Sequence, residues 1–192
     1  MAREMVRGGG RSARIQKAVH GVTRALLEKL DRSEITVPMI AEQAGVTPST
    51  IYRRWGDIGQ LFADVAVERL RPIAEPEDTG STRGDLEAYL LPYAEEMASP
   101  VGEQLIRDVL TDAQTGVAAG KCCQYTYDAF DVIAARAQAR GEVPLSSEEL
   151  IDRLVAPINY HILFADRDVG PAYCRALLDR LPPVQMATAA AA

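Results

Sequence analysis

Residues 36–55 restrict the fold more than any other segment, because they contain two helix starts separated by one glycine. Thr36 and Thr47 each stand one or two residues before a proline, and threonine caps helix N-termini while proline is tolerated in the first turn. Gly45 lies where a helix commonly ends in a left-handed conformation. The segment therefore predicts two short helices joined by a tight turn.

Two helices joined this closely cross steeply and bury their inner residues, here expected to be Ile40, Ala41, Val46 and Ile51. The outer face of the second helix then carries Ser49, Thr50, Tyr52 and Arg53. An α-helix fits the DNA major groove, and hydroxyl and guanidinium groups reach phosphates and base edges. The pair is a candidate DNA-reading helix-turn-helix; a plain helical hairpin is the alternative.

Apolar residues recur at three- and four-residue steps along most of the chain, which is typical of amphipathic helices, and no segment alternates like a half-buried strand. The expected fold class is all-α, an N-terminal three-helix helix-turn-helix domain followed by a C-terminal helical bundle. Asp57, Ser146 and Asp168 are expected to cap helices, and Pro92 and Pro157 to kink them or delay their start. Predicted helices cover about 14–30, 37–44, 48–55, 58–70, 85–98, 100–115, 117–140, 146–164 and 168–181.

Composition suggests how the chain is divided. The expected parts are a flexible basic arm (1–13), a DNA-binding domain (14–71), a linker (72–84), a ligand-binding and dimerisation domain (85–183) and a disordered tail (184–192).

Charge is distributed unevenly between the two halves, although the net charge is −6. Residues 1–56 hold ten Lys or Arg against five Asp or Glu, whereas the remainder holds 11 against 22. This asymmetry favours a basic DNA-facing module fused to an acidic body that phosphates would repel. A basic arm that is merely solvated is the alternative.

The sequence contains no signal for a membrane or secreted protein, for a metal site or for an enzyme. No apolar run is long enough to span a membrane and none resembles a signal peptide, so we expect a cytoplasmic protein. The three cysteines lack zinc-site spacing, and the two histidines are far apart, so we expect no metal and no cofactor. No nucleophile triad, P-loop or dinucleotide fingerprint is present, so we expect no enzyme.

The stretch from Thr36 to Trp55 resembles the signature of the TetR family of bacterial regulators, T-V-x-x-I-A-x-x-A-G-V-(S/T)-x-x-T-(I/L)-Y-(R/x)-(R/H)-(W/F). The resemblance spans about residues 13–70. The matching positions are Thr36, Ile40, Ala41, Ala44, Gly45, Val46, Thr50, Tyr52 and Trp55. It implies an all-α homodimer that binds palindromic double-stranded operator DNA and carries a ligand-binding core.

The resemblance also implies candidate DNA contacts. These are Thr36, Thr47, Ser49, Thr50, Tyr52, Arg53 and Arg54. Family members usually carry a lysine at the start of the fourth helix, where it meets a phosphate, but this chain has Ile58. The basic residues Arg7, Arg11 and Arg14 are expected to compensate by approaching phosphates or the minor groove.

Two further sets of residues belong to the C-terminal half. Ligand sites need apolar walls with a few polar groups, so the candidate lining residues are Tyr89, Tyr93, Met97, Tyr125, Phe130 and Tyr160, with ordinary core packing as the alternative. By resemblance, the last two long helices form the dimer interface, and its apolar face would be Leu150, Leu154, Ile158, Leu163, Leu177, Leu178 and Leu181. The small-molecule effector is not readable.

Together these features predict a ligand-responsive transcriptional regulator, with repression as the expected mode. One alternative is a helical ligand- or metal-binding protein without DNA binding, in which Cys122 and Cys123 carry the chemistry. A second is a constitutive regulator whose core serves only to dimerise.

Overall fold

A computed structural model describes residues 9–111, 116–165 and 167–186. These residues are almost entirely helical, which confirms the all-α prediction. The helices are α1 (Gly9–Leu27), α2 (Val37–Ala44), α3 (Pro48–Trp55), α4 (Ile58–Leu70), α5 (Thr82–Ala98), α6 (Pro100–Thr111), α7 (Val117–Ala139), α8 (Ser147–Leu150), α9 (Ala156–Tyr160) and α10 (Pro171–Leu178). A 3-10 turn (Arg32–Glu34) follows α1, and π-helical turns (Ile151–Val155 and His161–Ala165) follow α8 and α9.

The helix starts in the N-terminal part lie where the capping residues predict them. Thr36 accepts a hydrogen bond from the Met39 amide at 3.4 Å, and Asp57 accepts one from the Gln60 amide at 2.8 Å. Gly45 ends α2 with φ of 65°, a conformation that other residues adopt at a cost. Ser146 and Glu149 form the capping box expected at the start of α8.

Helix α1 begins earlier than predicted, so residues 9–13 of the predicted flexible arm are helical. The side chain of Arg54 explains part of this difference, because it donates hydrogen bonds to the backbone oxygen and hydroxyl of Ser12. A contact between residues so far apart in sequence leaves no local signal. The rest of the predicted arm, residues 1–8, lies outside the described residues.

The C-terminal part departs from the prediction at two helix signals. Gly170, not Asp168, is the N-cap of α10, and Asp168 instead accepts a hydrogen bond from the Gly170 amide at 2.8 Å. Pro92 lies inside α5, and the helix continues past it without interruption. Pro157 falls in the first turn of α9, directly after a π turn that accommodates the missing amide donor.

Two very short strands also correct the prediction. Glu142–Val143 (β1) pairs antiparallel with Gln185–Met186 (β2), so the start of the predicted disordered tail is ordered. Strands of two residues are too short to show an alternating pattern, which is why the sequence did not predict them. Residues 187–192, and residues 112–115 of the predicted sixth helix, lie outside the described residues.

Helix α4 lies between two parts of the molecule that we call the head (α1–α3) and the body (α5–α10). Leu61, Phe62 and Val65 on one side of α4 belong to the apolar core of the head. Ala63, Ala66 and Val67 on the other side pack with residues of α6 and α7. One helix therefore contributes to the cores on both sides.

Candidate nucleic-acid interface and body cavity

The outer face of α3 presents polar side chains to solvent. Ser49 and Arg53 are exposed, and the ring of Tyr52 is 50% exposed. The Thr47 hydroxyl is hydrogen-bonded to the hydroxyls of Ser49 and Thr50, each at 2.9 Å. Opposite them, Ile51 and Trp55 are buried in the head. The core thus holds α3 with its hydroxyl, phenol and guanidinium groups outward.

The two adjacent arginines of α3 have different surroundings. Arg53 makes no hydrogen bond or ion pair with the described residues, so its guanidinium is available to a partner. Arg54 donates to Ser12 and, at 2.7 Å, to the Gln16 side chain, and its guanidinium lies 5.1 Å from the ring centre of Trp55. Arg54 therefore attaches α3 to α1, a structural contact that the signature does not reveal.

Three of the residues predicted to contact DNA lie in or before α1, and a fourth lies directly before α2. Arg11 and Arg14 are exposed in the first turns of α1, and the Arg14 side chain donates to the Gly10 oxygen at 3.1 Å. Thr36 is exposed at the start of α2. Arg7 lies outside the described residues. All the DNA-contact candidates that the structure describes are exposed or half-buried polar residues of the head. Arg54 is among them, but its side chain is hydrogen-bonded to α1.

A buried histidine joins α1 to α4. His20 is fully buried, and its Nε2 lies 3.0 Å from Oδ2 of Asp64, while its Nδ1 contacts the Glu68 carboxylate. The same Asp64 oxygen accepts a hydrogen bond from the Trp55 indole at 2.8 Å. These contacts link α1, α3 and α4 through polar groups inside an apolar head.

Electrostatics in this cluster favour the charged forms. The hydrogen bond from His20 is the main reason that the pKa of Asp64 falls to about 2. Burial by itself would lower the pKa of His20, but hydrogen bonds to Asp64 and Glu68 outweigh burial and raise it above its ordinary value. The sequence alone assigns His20 no role and does not identify its partners.

An ion pair fixes the head to the body. Arg32, in the 3-10 turn after α1, contacts the carboxylate of Asp108 in α6, and the guanidinium lies 4.4 Å from the ring centre of Phe62. Asp108 is only 3% exposed and also accepts a hydrogen bond from Gln104 at 2.9 Å. The head is thus attached to α6 directly as well as through α4.

The body contains a partly open cavity of about 1200 Å³. Its walls come from α5, α6, α7 and the α8–α9 region, and the end of α4 with the following linker borders it. Four of the candidate ligand residues, Tyr89, Tyr93, Met97 and Tyr125, border it. The size fits a small organic molecule.

Two other predicted lining residues lie elsewhere. Phe130 is fully buried behind Tyr89, with the ring centres 5.2 Å apart, and supports the wall without lining it. Tyr160 points away from the cavity, is 59% exposed and packs against Phe164. Neighbouring positions on a helix face different directions, so residue type alone did not separate the wall from the layer behind it.

The predicted apolar dimer face is corrected by the structure. Five of its leucine and isoleucine residues are buried inside the single chain, in the core of the body, and are not accessible to a second copy. They are Leu150, Leu154, Ile158, Leu177 and Leu178. Leu163 is half-buried, and Leu181 is half-buried and packs against the same core. An apolar stripe shows that a helix face is covered but not by what.

Comparison with known proteins agrees with this architecture. A family profile described as bacterial regulatory proteins, tetR family, matches residues 21–65, and one described as tetracyclin repressor-like, C-terminal domain, matches residues 76–181. The second match covers more than half of the chain. The chain belongs to the TetR family. It is therefore a helix-turn-helix DNA-binding regulator, like its relatives.

Individual TetR-family relatives are distant in sequence. The HTH-type transcriptional regulator AqdR of Rhodococcus erythropolis is 28% identical over 141 residues, covering 72% of this chain and 68% of AqdR. The uncharacterized HTH-type transcriptional regulator YdeS of Bacillus subtilis is 28% identical over 187 residues, 90% of each protein. A crystal structure of the TetR-family regulator SCO0332 has the same fold, with a TM-score of 0.65 and 24% identity over 88% of this chain and 99% of that one.

The described part of the chain contains neither a membrane-spanning helix nor a cluster of metal ligands. No helix there combines the length and apolar character that crossing a bilayer requires. No three His, Cys, Asp or Glu side chains come together there in a way that could hold a metal ion. Cys122 borders the cavity, where burial raises the pKa of its thiol to about 11, so the thiolate that would bind metal is disfavoured.

Proposed function

We propose that this protein is a ligand-responsive repressor, a homodimer that binds a palindromic operator and releases it when a small molecule enters the body cavity. The observation that carries the proposal is the position of α4. Its middle forms part of the head core, and its last residues, Arg69 and Leu70, border the cavity. A ligand that displaces the end of α4 would therefore move the DNA-binding head.

Recognition of DNA is assigned to the outer face of α3. Tyr52, Arg53 and Ser49 are exposed there on a rigid helix, in the half of the chain with excess positive charge. Arginine reads guanine bases in the major groove, and hydroxyl groups contact phosphates. Arg11 and Arg14 supply further cations on the same head.

Dimerisation is assigned to the exposed aromatic face of α9 and the π turn that follows it. Tyr160 is 59% and Phe164 is 75% exposed, and their ring centres lie 5.5 Å apart. Large apolar side chains that adjoin on a surface mark an interface. A second copy is the expected partner, because a dimer presents two recognition helices about 34–36 Å apart to successive major grooves.

Repression is the expected mode of action, because the profile that matches the body is described as tetracyclin repressor-like. Ligand control requires that the ligand bind the two head positions with different affinities. A coupling of about 1–3 kcal/mol would change operator affinity about 5- to 150-fold.

Selection of DNA tests the proposal. The purified protein is mixed with fragments of its source genome, bound fragments are sequenced, and the enriched site is footprinted. The expected result is a palindrome with half-sites about one helical turn apart, enriched by the wild-type protein and not by Arg53→Ala. Absence of enrichment, or equal enrichment by the variant, would refute the assignment of the DNA surface. Transcription in vitro from the selected promoter then shows whether the bound protein represses.

A further inference from the structure

The charged residues that border the cavity are all exposed. Two arginines and four acids border it, all with exposed side chains, and they are Arg69, Arg71, Glu75, Glu77, Glu96 and Asp128. Among the described residues, no buried charged side chain borders the cavity. A ligand that fills the interior therefore loses water without gaining a charged partner, which strongly disfavours a charge on its buried part.

One wall of the cavity is aromatic and flat. The rings of Tyr89 and Tyr93 are stacked, with centres 5.9 Å apart and planes inclined by 16°. Phe130 contacts Tyr89 edge-on from behind and holds that ring in place. Aromatic rings pack favourably against such a surface in offset-stacked or edge-on arrangements.

The amide of Asn159 is one of the uncharged polar groups that border the cavity, together with the hydroxyls of Tyr89, Tyr125 and Thr126. The Tyr93 hydroxyl donates to Oδ1 of Asn159 at 3.0 Å, and burial raises the pKa of Tyr93 so that the hydroxyl stays protonated. This bond fixes the orientation of the Asn159 amide. Its nitrogen, Nδ2, has no hydrogen-bond partner among the described residues, although Asn159 borders the cavity. Two N–H donors are therefore available to a ligand.

From these three features we infer that the effector is an uncharged, largely aromatic molecule with a carbonyl-type acceptor oxygen. The oxygen accepts from Nδ2 of Asn159, and the ring packs on the wall formed by Tyr89 and Tyr93. The inference rests on the proposed function, because it takes the cavity as the effector site. A carboxylate ligand held by Arg69 and Arg71 at the opening is the competing chemistry.

Three probes of nearly equal shape separate these possibilities. Benzophenone carries a ketone between two rings, diphenylmethane lacks the oxygen, and 4-benzoylbenzoate adds a carboxylate. Their affinities for the full-length protein are measured by equilibrium dialysis. We expect benzophenone to bind about 3- to 10-fold more tightly than diphenylmethane, as one hydrogen bond would give. The carboxylate should bind no more tightly than the ketone.

Variants assign the effect to the amide. Asn159→Leu keeps the approximate size of the side chain and removes the donor, so the advantage of the ketone should vanish while diphenylmethane binds as before. Gln138→Leu removes an exposed side-chain amide on α7 that does not border the cavity, and it should retain the advantage. The inference is overturned if the ketone and the hydrocarbon bind equally to the wild type, if Asn159→Leu preserves the difference, if the carboxylate binds more tightly, or if no probe binds.

Measuring operator affinity separately distinguishes this inference from the proposed function. If the probes discriminate as expected but leave operator affinity unchanged, the ligand chemistry stands and the regulatory proposal fails. If an anionic compound releases the operator and the neutral ketone does not bind, ligand control stands and the inferred chemical class is wrong.

Discussion

Arg32 of the head is ion-paired with Asp108 of α6, and the residue after Asp108 borders the body cavity. That residue, Val109, also packs in the cluster that includes Val67 of α4. A ligand that displaces α6 therefore acts on the head through two routes, the ion pair and the packing against α4. Helix α6 therefore contacts the head directly, in addition to the packing of α4 against both parts.

Breaking the ion pair should destabilise the protein and loosen the head. Arg32→Ala leaves the buried carboxylate of Asp108 without its cation, so we expect the free energy of unfolding to fall by about 1–3 kcal/mol. The matched control is Arg107→Ala, which removes an exposed i,i+4 pair with Glu103 on the same helix and should cost less than about 0.5 kcal/mol. Urea denaturation measures the loss of unfolding free energy in both variants. Equal losses would show that the buried ion pair contributes no more to stability than the exposed one.

Adjacent arginines on α3 should behave differently when replaced. Arg53→Ala should reduce operator affinity by about 1–3 kcal/mol and leave the melting temperature nearly unchanged, because its exposed side chain makes no hydrogen bond or ion pair with the described residues. Arg54→Ala should lower the melting temperature, because it removes the hydrogen bonds to Ser12 and Gln16. Fluorescence anisotropy with operator DNA and thermal denaturation separate the two effects, and identical behaviour of the two variants would contradict this account.

The resemblance to the TetR signature leads us to expect a phosphate-binding lysine at position 58, where this chain has Ile58. The side chain is half-buried at the first position of α4, so the stem of a lysine can cover the same surface. Ile58→Lys should raise affinity for DNA of any sequence and steepen its salt dependence by roughly one phosphate. Ile58→Met is the uncharged control. An unchanged slope for the lysine variant would mean that the start of α4 does not face the phosphates.

Protonation of His20 should stabilise the head. Because the pKa of His20 is raised in the folded state, its contribution is complete below the ordinary value of 6.5 and is lost as the pH rises through the folded value. The free energy of unfolding should therefore decline as the pH rises above 6.5, and His20→Gln should reduce that decline. His161→Gln, on the body, is the control. The same decline in His20→Gln would locate the titrating group elsewhere.

A charge on the exposed aromatic face should prevent dimerisation. Phe164→Glu places a carboxylate among apolar side chains at the proposed interface, so the variant should sediment as a monomer where the wild type is a dimer. Val101→Glu introduces the same charge at another exposed apolar position, on α6, and should leave the dimer intact. A monomeric wild type at micromolar concentration, or a dimeric Phe164→Glu, would move the interface away from this face.

The helix-turn-helix was predictable because its signals are local. Thr36, Asp57 and Gly45 act on backbone groups within a few residues of themselves, and the structure places each where it was expected. The cavity was predictable in part, because tyrosine and methionine at helical spacing occur on the surfaces of ligand sites. That spacing does not say which layer a ring occupies, and Phe130 lies behind the wall.

Contacts between distant residues were not predictable. His20 meets Asp64, and Arg32 meets Asp108, only after the helices have packed, and neither pair has a characteristic spacing. The leucines of α8 and α10 show a second limit of the sequence, which does not reveal what covers an apolar stripe. Their periodicity correctly indicated burial, but a stripe buried in its own chain has the same pattern as a stripe buried by a second copy.

Reciprocal titration tests the central claim, that the cavity and the DNA surface are coupled. A compound that binds the cavity is titrated into the protein with and without its selected operator, and operator affinity is measured with and without the compound. The account predicts that the compound weakens operator binding by a factor of about 5 to 150 and that the operator weakens compound binding by the same factor. If the compound leaves operator affinity unchanged and the operator leaves compound affinity unchanged, the claim of coupling is contradicted.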